Sequence, residues 1–373
     1  MAEPSPSRVQ RGATVLGTVA ALVVVIAGLS VARPVLLPLL MAVLLSILVA
    51  PAVQWLDRRG LPTWLSVALT VAGLMGLLAG FGTLLVASVN NFSTALPHYK
   101  VRLAAMMDTL TTALAGFGIP LSLDNIYGEL EPGTVIETVG NTLNGLLVGL
   151  GNLTLTLVTM VFILMEAAGF SRKVERAVDE PGPALERWAL AARNVQKYLG
   201  VKTAVSAVTG LGVYLWASLL GVDFAVLWGL TAFLLNYIPA IGSIIAAVPA
   251  VLVCTVQLGP GYALALAAGY VLLNLLLGNI IEPMLQGRRL GLSPLVVFVS
   301  LVFWGWLWGP LGMLLSVPMT MVLKLTFEHS RELSWVAVLL GPAYDQVASA
   351  SSPRRTVADA DPVDAPSVEL PRT

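Results

Sequence analysis

Eight stretches of the chain are almost continuously apolar: about 14–32, 35–52, 62–89, 141–165, 203–220, 224–256, 260–282 and 294–325. A straight helix crosses the hydrocarbon core of a bilayer in about 20 residues. Six of the stretches fit one crossing each. Two, 224–256 and 294–325, are too long for one ordinary span and too short for two. Both are interrupted by proline and glycine. The first reads NYIPAIGSIIAAVP from Asn236 to Pro249, the second GWLWGPLGMLLSVP from Gly305 to Pro318.

Polar residues gather in two intervals. Residues 90–140 hold Asp108, Asp124, Glu129, Glu131 and Glu137, with Lys100 and Arg102 as basic partners. Within them, Pro97 to Phe117 has the spacing of an amphipathic surface helix. Residues 166–202 are basic, with Arg172, Lys173, Arg176, Arg187, Arg193, Lys197 and Lys202. From Ala343 onward the chain is rich in Ser, Pro, Ala and Asp, a composition expected to be disordered.

Composition narrows the class. Of the 373 residues, 57 % are hydrophobic and 11 % charged. A soluble domain carries about twice that charge fraction. Mean hydropathy is +0.85, so an integral membrane protein is expected. Basic and acidic residues balance at 21 each, which gives no reason to expect nucleic acid as a partner. The single cysteine, Cys254, excludes an intrachain disulfide and a cysteine-rich metal site, and its apolar setting points to packing. His98 and His329 lie outside the apolar stretches and are expected to be solvated. Arg8 and Arg11 precede a run of full span length with no small-residue cleavage pattern after it, so no cleavable signal is expected.

Lys and Arg collect on the cytoplasmic side of a membrane protein. That rule places 166–202 inside and 90–140 outside, with the N-terminus and Arg58–Arg59 inside. If all eight stretches crossed, Arg288 and Arg289 would face outward. If 224–256 instead dips in from outside and returns, Arg288 and Arg289 fall inside. Stretch 294–325 must then dip in from the cytoplasm, since Lys324 and Arg331 belong inside too. IPAIGSIIAAVPA (Ile238–Ala250) matches WGPLGMLLSVPM (Trp308–Met319) with one gap, and one span precedes each. This is the pattern of an inverted repeat, in which discontinuous helices build a solute site near the midplane.

The expectation is an all-α polytopic bundle of six full spans and two broken re-entrant hairpins of opposite orientation, or eight spans by hydropathy alone. Its parts are a cytoplasmic N-terminus (1–13), N-terminal spans (14–89), an extracytoplasmic region (90–140) and a span (141–165). A basic cytoplasmic region (166–202), a transport core (203–325) and a cytoplasmic tail (326–373, disordered from about 343) follow.

The last third carries a family pattern. NYIPAIGSIIAAVPAVLV, followed by GNIIEPMLQGRRLGLSPLVVFVSLVFWGWLWGPLGMLLSVP, closely resembles the AI-2E (autoinducer-2 exporter) family of bacterial membrane proteins. RPVLLPLLMAVLLSILVAPAV, Arg33 to Val53, resembles its N-terminal portion. The resemblance covers about 10–340 and implies a secondary transporter of the bacterial inner membrane, and a homo-oligomer. Members are linked to autoinducer-2 export, others to sodium or lithium/proton exchange. The expected function is export of a small polar solute; the alternatives are cation/proton antiport and a non-transporting scaffold. H+ or Na+ are the coupling ions considered.

Candidate chemistry is sparse. On a helix over 260–282, Asn274, Gly278, Asn279 and Glu282 fall within roughly 140° of arc. Polar residues in a span normally face a bundle interior or cavity. Asn236, Asn274, Asn279 and Glu282 are therefore the candidate solute or ion ligands. Pro239, Gly242, Pro249, Pro310, Gly312 and Pro318 are expected to shape the two breaks. Glu282, one residue before Pro283, reads either as a cavity carboxylate binding a cation or proton, or as a helix-end acid paired to Arg288 or Arg289. Trp304, Trp306 and Trp308 read as interfacial anchors or hairpin packing. Glu166 is expected at the interface and Asp223 in a short loop. Gly73, Gly76 and Gly80, with Ala72 and Ala79, allow close helix contacts within or between subunits. No P-loop, zinc-hydrolase motif or nucleophile elbow is present, so neither an enzyme nor a bound cofactor is expected.

Overall fold

Apolar sequence in lipid must satisfy its backbone within itself, and a helix does so segment by segment. In the computed structural model, which describes residues 8–116, 153–177, 183–239, 241–286, 291–328, 330 and 334–341, every regular element is helical. The order is α1 (Arg8–Val31), α2 (Arg33–Arg58), α3 (Thr63–Gly116), α4 (Leu153–Ala177) and α5 (Pro183–Leu220). Next come α6 (Ala225–Leu235), α7 (Gly242–Leu258) and α8. The last of these starts as Pro260–Leu273, widens into a π turn over Asn274–Ile281 and ends as Glu282–Gln286. The chain closes with α9 (Pro294–Trp308), α10 (Pro310–Glu328) and α11 (Ser334–Leu340).

Five segments among these are long and apolar enough to cross a membrane: Arg33–Arg58, Thr63–Thr109, Ala189–Leu219, Pro260–Gln286 and Pro310–Glu328. The protein is a multi-pass, all-helical membrane protein. The polar interval after residue 90 does not start a separate element. α3 runs 54 residues through Pro97 to Gly116, and the acidic residues beyond it lie outside the described residues. His98 is exposed, and His329 also lies outside the described residues.

Both long apolar stretches fold as antiparallel helical hairpins. In the first, α6 and α7 are joined at a tip over residues 236–241. Its root is clasped by Gln257, whose Oε1 accepts from the Asp223 N–H at 2.8 Å and whose Nε2 donates to the Gly221 carbonyl at 3.0 Å. In the second, α9 and α10 are joined at Gly309, which turns the chain with φ +71°. Ser300 of α9 faces Ser316 and Thr320 of α10, and its Oγ donates to the Ser316 carbonyl at 3.0 Å. The roots lie at opposite ends of α8, one at Gly259 before it and the other at Gly291–Ser293 after it.

The breaks sit at the tips. Pro249 and Pro318 do not form them: each is buried inside a continuous helix, α7 or α10. A proline there removes one ladder bond and bends the helix without ending it. Gly242 and Gly312 do serve the tips, in matching ways. A Cβ on Gly242 would collide with the Leu235 carbonyl oxygen, and one on Gly312 with that of Trp304. In each case the residue four positions earlier, Ile238 or Trp308, closes the other side.

Lipid tails give helices little hydrophobic reason to associate, so contact depends on small residues and side-chain hydrogen bonds. α5 and α6 cross where Gly210 meets Gly229: a Cβ on either would fall 2.7–2.8 Å from the carbonyl oxygen of the other. Among the described residues nothing lies within 4 Å of a Cβ added at Gly73, Gly76 or Gly80 of α3. Trp228, fully buried, centres the core between the first hairpin and α3, with Leu227, Ala246, Cys254 and Leu266 around it. Trp304 and Trp308 are buried in the second hairpin with ring centroids 4.7 Å apart, while Trp306 is exposed.

Candidate functional site

The tip of the first hairpin is where the polar side chains meet. α5 presents Lys202, Thr203 and Ser206 on consecutive turns of one face. Asn236, at the end of α6, donates from Nδ2 to Ser206 Oγ at 2.9 Å and is buried. Tyr237 donates its hydroxyl to Thr203 Oγ1 at 2.8 Å. On the returning arm, Ser243 donates to Asn274 Oδ1 of α8 at 2.9 Å. One turn below on α5, Lys202 Nζ donates to both oxygens of Glu282 at 2.9 Å. Gln286 Nε2 holds Glu282 Oε1 from the other side at 2.9 Å. The ion pair is deeply placed, with side chains 6 % and 13 % exposed.

Three of the four candidate ligands thus gather around one tip. Asn236 ties the end of the first arm to α5, Asn274 accepts from Ser243 on the returning arm, and Glu282 lies beyond it on the same helix as Asn274. Asn279 does not join them and is exposed. The π turn, whose i→i+5 bonds turn the chain less per residue than those of an α-helix, keeps Asn274, Gly278 and Glu282 nearly in line; Asn279, the residue after Gly278, stands about a quarter turn off that line. Gly278 makes room: a Cβ there would lie 3.0 Å from Asn274 Oδ1.

Among the described residues the charged partner of Glu282 is Lys202 of α5; Arg288 and Arg289 lie outside the described residues. The basic interval contains the signal in retrospect: Lys202, Thr203 and Ser206 share spacing i, i+1, i+4 where that interval runs into an apolar span. Pro239 shapes the tip, where its carbonyl accepts the Ile241 N–H at 2.7 Å. Pro310 opens α10 after Gly309, and an added Cβ on Gly309 would lie 3.4 Å from Arg33 Nη2. Glu166 is exposed and lies on α4, away from the tip.

A second cluster, unforeseen from sequence, ties α3 to the root of the first hairpin. Tyr99 donates its hydroxyl to Asp223 Oδ2 at 2.5 Å, and Trp228 Nε1 donates to the Asp223 carbonyl at 2.8 Å. Phe92 packs edge-on against Phe224 and Trp228, with centroids 5.5 and 5.9 Å away.

The sequence pattern that defines the AI-2E family transporters runs through residues 19–332. The chain belongs to the AI-2E transporter family. Among AI-2E relatives, the AI-2 transport protein TqsA of Escherichia coli strain K12 is 36 % identical over 323 residues, covering 86 % of this chain and 93 % of TqsA. A putative transport protein of Haemophilus influenzae is 35 % identical over 338 residues, 89 % of this chain and 97 % of that one. The putative transport protein YhhT of E. coli strain K12 is 34 % identical over 342 residues, 92 % and 97 % of the two chains. The AI-2E proteins are transporters, not enzymes, and this chain is a transporter by membership.

Proposed function

We propose that this chain is a secondary-active exporter of a small polar molecule of the autoinducer-2 type, with the solute held at the tip of the first hairpin. The observation that carries the reading is the polar seam itself. Asn236–Ser206, Tyr237–Thr203, Ser243–Asn274 and Lys202–Glu282 converge from α5, α8 and both arms of the first hairpin inside a leucine- and valine-rich bundle. Polar groups at membrane depth are costly and mark solute pathways, and broken helices supply such sites in secondary transporters. The name of the relative TqsA supports autoinducer-2 as the solute type.

In this reading both hairpins are re-entrant. α6 has 11 residues and α7 has 17, rises of about 16 and 25 Å at 1.5 Å per residue. Neither arm has the length of α8, and the tip meets α8 near Asn274, short of its far end. The first hairpin enters from the extracytoplasmic side and the second from the cytoplasm. Both termini are then cytoplasmic, and the membrane is the bacterial inner membrane. The open glycine face of α3 suits a neighbouring copy in a homo-oligomer. The test is efflux of autoinducer-2 from loaded proteoliposomes under an imposed pH gradient. Wild type should release it faster than empty vesicles, and Asn236→Ala and Asn274→Ala should slow release without lowering the amount of folded protein. Equal release from empty and wild-type vesicles would remove the reading.

A further inference from the structure

Lys202 is the only charged side chain that is buried among the described residues. Its single counter-charge is Glu282, both of whose oxygens it contacts. Hydroxyls and amides alone would serve a neutral solute, and an apolar pair of similar volume is often as stable as a buried ion pair or more so. The charges therefore call for a role beyond holding α5 to α8.

We propose that Lys202 and Glu282 form an exchangeable pair that takes up a small monoanion together with a proton. This rests on the hairpin tip being the solute site. The resting pair is neutral. An anion that binds the Lys202 ammonium displaces Glu282, and a bare carboxylate at this depth is costly. Glu282 therefore takes the proton: Lys-NH3+ with −OOC-Glu, plus A− and H+, becomes Lys-NH3+ with A− and HOOC-Glu. No charge is gained or lost. A dianion would leave the site with a net negative charge, and a neutral solute has no charge to trade. Thr203, Ser206 and Tyr237 offer hydroxyls, and Asn236 an amide, to the rest of the anion within one turn of Lys202.

Among the described residues, the neighbouring elements place no further charged side chain on the pair; Arg288 and Arg289 lie outside them. α5 contributes Tyr198, with Arg193 and Lys197 exposed below it. The first hairpin contributes Tyr237, and α8 contributes Gln286. On α10, Lys324 and Glu328 already pair with each other at 3.2 Å. α2 meets α5 through the Ile47 carbonyl, which accepts from Gln196 at 2.9 Å.

Glu282→Gln imitates the protonated carboxylate and leaves the Lys202 charge open. The experiment is thermal melting of the purified full-length chain in detergent, in sodium formate and in sodium gluconate of equal concentration. Formate should raise the melting temperature of Glu282→Gln by several degrees over gluconate at pH 7.5. Wild type should show that rise at pH 5.5 and lose it at pH 8. The double variant Lys202→Met/Glu282→Gln should show none at either pH. Identical melting of Glu282→Gln in the two salts would overturn the proposal. If that variant does not fold, wild type decides: a formate effect equal at both pH values, or absent from both, overturns it. Autoinducer-2 efflux is a separate readout. A missing formate effect with efflux intact removes the anion–proton pairing alone, and a formate effect without efflux removes only the exporter reading.

Discussion

Lys202 Nζ lies 2.9 Å from each carboxylate oxygen of Glu282, 80 residues further along the chain. The contact joins the middle of α5 to the end of α8, just below the hairpin tip. It also explains why an acid precedes Pro283: the helix presents Glu282 to α5 before the proline limits its continuation.

Removing one partner strands a buried charge, which costs about 3–5 kcal/mol, whereas removing both leaves none. Lys202→Met and Glu282→Gln should each lower stability by that order, and the double variant should regain much of the loss. Arg288→Ala should change it little, because Lys202 already contacts both carboxylate oxygens. Denaturation of the four proteins in detergent closes the cycle; additive losses would mean that the two side chains do not interact.

Gly312→Leu places a branched side chain against the Trp304 carbonyl and the Trp308 Cβ. Overpacking of this kind costs about 1–3 kcal/mol, and the strain falls on the turn of the second hairpin. The variant should insert in the membrane, melt at lower temperature and lose efflux. Gly73→Leu, where none of the described residues lies within 4 Å of an added Cβ, should keep both properties. Wild-type melting and efflux in Gly312→Leu would show that the tip accommodates the bulk.

The two ends of the first hairpin should face the same side of the membrane. In a Cys254→Ala background, single cysteines replacing Leu219 and Tyr262, both exposed residues flanking its root, should react with an impermeant thiol reagent from outside intact cells. Labelling of one site from outside and the other only after permeabilisation would make α6–α7 a full crossing.

Tyr99→Phe deletes the hydrogen bond to Asp223 and leaves the ring contacts. The loss should be about 1.5 kcal/mol, the low end for a bond to a charged group, because Asp223 is exposed. Hydrogen exchange at the root of the first hairpin should rise while exchange at its tip stays at the wild-type level. Unchanged exchange at both would show that α3 does not fasten the root.

Much of the helical layout was legible because a span needs about 20 apolar residues and a break in one stands out. The hairpin tips were legible from NYIPAIG and WGPLG, in which proline and glycine interrupt the ladder. Pro249 and Pro318 were not separable from the tip prolines, since composition does not say which proline a helix absorbs. Asn274 and Glu282 stood out as polar residues in a leucine-rich span. The departure of Asn279 did not, because at about 100° per residue it stands at the far edge of the same wide arc as Asn274, and an arc of that width holds side chains that face a neighbouring helix and side chains that do not. Lys202 was one basic residue among seven in an interval read as cytoplasmic. Its burial comes from α5 running unbroken from that interval into the bundle. Tyr99 and Asp223, 124 residues apart, carry no local mark of their pairing.

The tip of the first hairpin is fastened by three neutral side-chain bonds, Asn236 to Ser206, Tyr237 to Thr203 and Ser243 to Asn274. Each contributes roughly 1 kcal/mol net, so releasing all three costs about 3 kcal/mol. A gap of that size leaves a released form at about one molecule in 150, within the range that ligand binding can make dominant. The latch is therefore strong enough to keep the resting protein in one state: a solute that prefers the released form by about 3 kcal/mol would bring the two forms level, and one that prefers it by about 6 kcal/mol would invert the ratio.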